Sequence, residues 1–239
     1  AGIHYAQAAE ELAALAELLP APVMTTNPGK SAIAETHPLA LGASTRSRPR
    51  MVAEFMARAD LVFAIGSSLT KSSFNPPLPA GKRILHSTNE ADDINKDYRS
   101  EHALVGDARL VLEALIEEVK RQRPGDAGAS VQGLKDDIAS VKKAWRADWS
   151  KHLDSDEVPL NQYRVLRDLM ATVDRDNTIM THDSGSPREQ TLPFWETTVA
   201  GSYMGWGKST QLGYGLGINM GAKLAAPDKL CINVMGDAA

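Results

Sequence analysis

Lys229-Leu-Cys-Ile-Asn-Val-Met235 runs directly into Gly236-Asp237-Ala238-Ala239. This short apolar run predicts a strand of a parallel sheet. The stretch before it, from about Gly215 to Ala225, has the composition and spacing of a helix. Cys231 falls inside the strand and reads as a buried small hydrophobe, because no thiolate-stabilising neighbour surrounds it.

Working back along the chain, the same alternation returns. Tyr163 to Val173 reads as a helix, and Asn177-Thr-Ile-Met-Thr181 as a strand that leads into His182-Asp-Ser-Gly185. Leu61-Val-Phe-Ala-Ile65, closed by Gly66, predicts a strand buried on both faces, with shorter strands at Ala21–Thr26, Arg83–His86 and Ala103–Val105. Helices are expected over 5–19, where Pro20 stops the run, over Met51–Arg58, and over Leu110–Arg121. Strands alternating with helices predict an α/β protein of two doubly wound, parallel-sheet domains. Residues 1–122 form the first; 123–158 are a linker with a helix; 159–239 form the second. The linker opens on the Pro- and Gly-bearing stretch 123–130, and its helix spans Val131–His152. Trp145 and Trp149 share a face there at i, i+4, which suits packing onto a neighbouring domain better than a ligand site.

Composition narrows the functional classes. The 239 residues are 43% hydrophobic and 23% charged, an ordinary globular balance that excludes a disordered chain. A net charge of −4 favours neither a nucleic-acid backbone nor an anionic membrane. The one cysteine cannot form an intrachain disulfide, and no apolar run approaches the ~20 residues of a membrane span. With no secretory signal at its start, a cytoplasmic location is expected.

Nine of the 18 glycines lie between Gly185 and Gly236, so glycine-dependent motifs belong to the second half. Gly205-Trp-Gly-Lys-Ser-Thr210 fails as a phosphate-binding loop, which needs four residues between its first glycine and Gly-Lys. Gly213-Tyr-Gly-Leu-Gly217-Ile-Asn-Met-Gly221 matches no dinucleotide fingerprint and follows no strand. No Cys/His cluster supports zinc. Gly236-Asp237 remains: a carboxylate at the carboxyl end of a parallel strand stands where open α/β sheets bind ligands. Small residues on both sides let backbone N–H groups approach phosphate oxygens, and Mg²⁺ is commonly held by one carboxylate plus such oxygens. A plain strand-ending turn is the alternative.

The two halves together resemble the thiamine-diphosphate-dependent enzymes of the acetolactate synthase and decarboxylase superfamily. His37-Pro38, Leu61-Val-Phe-Ala-Ile-Gly-Ser-Ser68 and Val105-Gly-Asp-Ala108 look like that family's central domain. Gln211-Leu-Gly-Tyr-Gly-Leu216, Gly221-Ala-Lys-Leu-Ala225 and Val234-Met-Gly-Asp237 look like the first part of its diphosphate-binding domain.

The resemblance implies thiamine diphosphate and Mg²⁺ as cofactors. Asp237 matches the metal-ligating Asp, with Ala238 where the second glycine of Gly-Asp-Gly usually stands, and Gly236 and Ala239 beside it. Leu212 matches the apolar residue that wedges the two cofactor rings into a bend, and the Thr210 carbonyl would accept from the aminopyrimidine. Asp183 and Ser184 fall where the family contacts the diphosphate. FAD, ADP or nothing fills the central domain of relatives; Gly66-Ser-Ser68 and Ser87-Thr-Asn89 are candidate nucleotide-lining segments. The family's activating glutamate and second metal ligand, an Asn, are expected outside these 239 residues. No catalytic residue is therefore named within them, and they are expected to be an inactive piece of a longer enzyme. Implied partners are a small carbonyl or acyl-CoA substrate and a second subunit, in a homodimer or homotetramer with shared sites. The reaction is either acetolactate-synthase-like carboligation or 2-hydroxyacyl-CoA lyase and oxalyl-CoA decarboxylase-like chemistry. A non-catalytic nucleotide-binding or scaffolding module is the rival from another class.

Overall fold

Glycine, proline and capping side chains set the element boundaries. The computed structural model describes every residue except Ser47, 73–75, 124–127 and 207–210, and only the backbone of 128–130. A single turn, α1 (Gly2–Tyr5), precedes α2 (Ala9–Leu18), β1 (Val23–Thr25), β2 (Ala40–Ala43), α3 (Arg50–Arg58), β3 (Leu61–Ile65), β4 (Arg83–Thr88), β5 (His102–Val105) and α4 (Ala108–Gln122). After α5 (Gly128–Asp148) and α6 (Ser150–Leu153) come α7 (Gln162–Thr172), β6 (Thr178–His182), α8 (Ser186–Phe194), β7 (Tyr203–Met204), α9 (Tyr214–Ala225) and β8 (Leu230–Val234). α4 starts where the Asp107 carboxylate accepts from the backbone N–H groups of Arg109 and Leu110, and Asn161 caps α7 likewise.

The strands form three sheets, ordered β1-β2, β3-β4-β5 and β7-β6-β8. Every pairing among the described residues is parallel, as the alternation predicts. In the third sheet β6 is central, aligned on β8 from Thr178 opposite Leu230 to His182 opposite Val234. Parallel alignment brings the carboxyl ends of β6 and β8 to one edge of the fold, and the candidate site lies there.

Two expectations need correction. β3 is not buried on both faces, since Ala64 alone of it is buried, and Cys231 lies on β8, where no residue is buried. Each is an edge strand, pairing with β4 alone and with β6 alone. An apolar cavity of about 1060 Å³ runs along the free edge of β3, facing β1. Cys231, on β8, is accordingly half-buried. Sequence patterning also misses β2, β7 and α8. β7 has only two residues. α8 carries Pro193 inside it and opens from Gly185 at φ 77°, a left-handed turn with Pro187 in the first turn.

Trp145 and Trp149 do pack α5 onto its neighbours. Trp145 stacks on Phe194 at 4.8 Å between ring centroids, and Trp149 meets Phe194 and Tyr163 edge-on at 4.8 and 4.9 Å. The same core cluster takes in Leu39, Leu41, Val52 and Phe55 from the first half and Leu166 from α7. The helix of the 123–158 segment is thus bedded in a core shared by both halves; the Pro-Gly stretch 124–127 lies outside the described residues.

Candidate functional site

At the carboxyl end of β6, the backbone N–H of Asp183 donates to the Val234 carbonyl at 2.8 Å and extends the ladder one residue beyond the strand. The Asp183 side chain is fully buried. Its Oδ1 accepts from the backbone N–H groups of Ser184 at 2.7 Å and Gly213 at 3.2 Å, and its Oδ2 from Gly215 at 3.1 Å. A carboxylate can accept up to about four such bonds, and helix amino termini carry orphan N–H donors. Asp183 therefore fastens the start of α9 to the end of β6. Gly213 turns the chain into α9 at φ 82°. Gly215 is required for a different reason: a Cβ there would stand 2.4 Å from the His182 carbonyl oxygen and 2.6 Å from Asn233 Oδ1. Only glycine lets the helix settle this close onto β6 and β8.

His182, next to Asp183, is fully buried. Its Nδ1 lies 3.0 Å from the Asp183 carbonyl oxygen, which can only accept, so Nδ1 carries the proton. Nε2 is left as a buried acceptor with no partner among the described residues. Burial pushes the imidazole down to about 4, with the Asp183 carbonyl partly opposing that shift, and the ring is neutral at pH 7. Trp206 stacks on it at 5.5 Å, and the Trp206 Nε1–H donates to the His182 carbonyl at 2.9 Å.

The remaining sequence-selected residues lie at the same edge. Ser184 is buried beside Asp183. Gly236, Asp237, Ala238 and Ala239 are all exposed just beyond β8. Among the described residues the Asp237 carboxylate has neither hydrogen bond nor ion pair, and nothing lies within 4 Å of where a Cβ on Gly236 would be. One carboxylate at this edge is thus held by three donors and the other is open to a ligand. No cluster of three or more His, Cys, Asp or Glu residues is poised for a metal among the described residues. Asp237 can therefore bind a cation only with ligand or water oxygens completing the shell. Leu212, at the head of α9, is 58% exposed. Thr210 lies outside the described residues, as does most of the Gly205–Thr210 stretch. Sequence reading overlooked His182, Trp206 and Gly215; only Gly215 left a signal, as one of several glycines crowded around a helix start.

In the first half, the carboxyl end of β3 is covered. The Gly2 N–H donates to the Gly66 carbonyl at 2.8 Å, and a Cβ on Gly66 would stand 2.9 Å from Gly2 Cα. Ser67 and Ser68 follow that covered end; Ser87 and Thr88 are buried at the end of β4. No helix among the described residues is long and apolar enough to cross a membrane.

Comparison with known proteins gives two family matches. Residues 1–115 match the family described as the thiamine pyrophosphate enzyme central domain, and residues 183–239 match its C-terminal TPP-binding domain. A probable acetolactate synthase large subunit of Methanococcus aeolicus is 28% identical over 99% of this chain and 41% of its own length. Pyruvate oxidase of Lactiplantibacillus plantarum is 25% identical over 99% of the chain and 38% of its own length. A probable 2-ketoarginine decarboxylase of Pseudomonas aeruginosa is 30% identical over 96% of the chain and 39% of its own length. The chain spans about two fifths of the length of these relatives.

Proposed function

The chain belongs to the thiamine pyrophosphate enzymes, and from that premise we propose that it supplies the diphosphate- and metal-binding part of an enzyme that makes or cleaves a C–C bond beside a carbonyl. The observation that carries this reading is the Asp237 carboxylate just beyond the carboxyl end of β8, exposed and without a partner among the described residues. Its chemistry fits the group: an open carboxylate flanked by small residues suits Mg²⁺ that shares its shell with diphosphate oxygens.

In this reading Asp237 ligates Mg²⁺, while Gly236, Ala238 and Ala239 leave room for the diphosphate to lie close to the backbone. Ser184 borders the same space. Asp183 is occupied by three backbone donors, so its part is to hold the start of α9 in place for the ligand. Leu212 would pack under the bend between the cofactor rings. When bound, thiamine diphosphate supplies a carbon nucleophile and an electron sink; this chain's residues bind, orient and exclude water. The relatives are named for acetolactate, pyruvate and 2-ketoarginine, which favours a 2-oxo acid substrate over an acyl-CoA thioester. A second subunit would complete the site. With Gly66 covered by α1, a flavin or adenine nucleotide in the first half would have to lie over β4 and β5.

The test is titration of the full-length protein with thiamine diphosphate, with and without Mg²⁺. Asp237→Ala is expected to abolish Mg²⁺-dependent binding, because the diphosphate then loses its bridging cation. Equal affinity in wild type and variant would sink the assignment.

A further inference from the structure

The loop between β1 and β2 meets the segment leading to the candidate site through an unusually dense set of buried polar contacts. Lys30 is fully buried, and its Nζ donates to both carboxylate oxygens of Glu35. Glu35 Oε2 accepts from the Thr197 backbone N–H at 3.1 Å, while the Glu35 N–H donates to the Thr197 carbonyl at 2.8 Å. Ser31 bridges in the same manner. Its Oγ accepts from the Tyr203 N–H at 3.0 Å, and its carbonyl accepts from the Gly201 N–H at 2.9 Å. Gly205 lies against the Asn27 carbonyl oxygen so closely that a Cβ would stand 2.1 Å from it.

Ser31 sits at φ 64°, a left-handed conformation that a non-glycine residue keeps only where its surroundings over-determine it. Burial lowers the Lys30 pKa, and the Glu35 carboxylate opposes the shift. Replacing a buried ion pair with apolar residues is often neutral or stabilising, so stability alone is a weak reason to keep one. Fixing a unique register is a better-attested role.

The register fixed here belongs to β7. One edge of β7 pairs with β6, and the first-half loop bonds the same strand and the chain on either side of it. Two residues beyond β7, Trp206 donates to the His182 carbonyl, and Leu212 lies six residues further on. We propose that Lys30 and Glu35 are positioning residues for the cofactor site in the other half of the chain: the pair holds Thr197 and β7 in register, and so sets where the chain enters the segment carrying Leu212. This inference rests on the cofactor reading above.

The experiment compares two double variants of the full-length protein by calorimetric titration with Mg²⁺ and thiamine diphosphate, alongside thermal melts. Lys30→Met with Glu35→Leu removes both charges and the acceptor for Thr197. Lys30→Met with Glu35→Gln removes the charges and keeps an acceptor oxygen. The Leu variant is expected to weaken cofactor affinity at least tenfold, while the Gln variant stays within about threefold of wild type. Unchanged affinity in the Leu variant overturns the proposal. So does an equal loss in both variants that tracks their melting temperatures, because the pair would then be merely structural. A wild type that fails to bind thiamine diphosphate sinks the functional reading instead, and this inference with it.

Discussion

The seam between residues 27–35 and 197–206 and the outer face of α9 reverse the usual arrangement. In the seam, a lysine, a glutamate, a serine and an asparagine are buried almost completely. On α9, Leu216, Met220 and Leu224 repeat at four-residue spacing, continue the line from Leu212, and are 46–85% exposed. The seam retains polar groups because most of them are paired, and each pairing specifies one geometry. The α9 face has no such internal reason. Apolar side chains exposed in a row are those that a ligand, a partner or further chain can cover, and Leu212 at their head is where the functional reading sets the cofactor rings. The polar side of the molecule holds position, and the apolar side is left available.

The largest effect that could break this comparison is expected at Asp183. Asp183→Ala would leave the N–H groups of Ser184, Gly213 and Gly215 without their acceptor. Each stranded buried donor costs about 1–3 kcal/mol, so a loss of roughly 3–5 kcal/mol is expected after partial rescue by water. Denaturant unfolding measures it. A loss below about 1 kcal/mol would show that the start of α9 is not held by this carboxylate, and the contrast with the free Asp237 would collapse.

The next effect is pH-dependent and sharpens the polar side. His182 titrates near 6.5 in the unfolded chain and at about 4 when folded. Between those values the unfolded state takes up a proton that the folded state refuses. Stability from this group is thus complete above pH 6.5 and falls as pH drops towards 4, by roughly 3 kcal/mol in all. His182→Phe keeps an aromatic ring against Trp206 and removes the titration. Unfolding free energies at pH 7.0 and 4.5 should therefore differ less in the variant than in wild type; an equal drop would assign the acid sensitivity elsewhere.

Sequence patterning exposed one side of this comparison and concealed the other. The alternation of apolar runs and helices gave the parallel α/β architecture, and Gly236-Asp237 marked the strand end of the candidate site. Local periodicity carries that kind of information. The seam left no local signal, because Glu35 bonds to Thr197, 162 positions away, and Lys30 with Glu35 looks like an ordinary solvated pair. β7, two residues long, is a strand only because β6 lies beside it. The expected burial of β3 on both faces, and of Cys231 on β8, failed for a related reason. An apolar run records a strand's composition, not whether it has a neighbour on each edge, and both strands are edges.

The smallest effect expected is the one that tests the apolar side. Leu212 precedes the left-handed Gly213 and is 58% exposed, so it contributes little packing to the start of α9. Leu212→Ala should change the unfolding free energy of the unliganded protein by no more than about 0.5 kcal/mol, as for other exposed positions. If the side chain supports the bend between the cofactor rings, its loss acts on alignment of the reacting atoms. Good alignment can contribute several kcal/mol to a barrier, and losing part of it should lower kcat of the full-length enzyme about tenfold, or roughly 1.4 kcal/mol. Cofactor affinity should change less, because diphosphate and metal remain anchored at Asp237. Leu212→Met, close to volume-conserving, should restore most of kcat. Measuring kcat on cofactor-saturated enzyme, together with unfolding of the unliganded form, separates shape from stability. A variant that loses stability but keeps kcat would place Leu212 with the ordinary packing of α9 and leave the exposed stripe without a link to the chemistry.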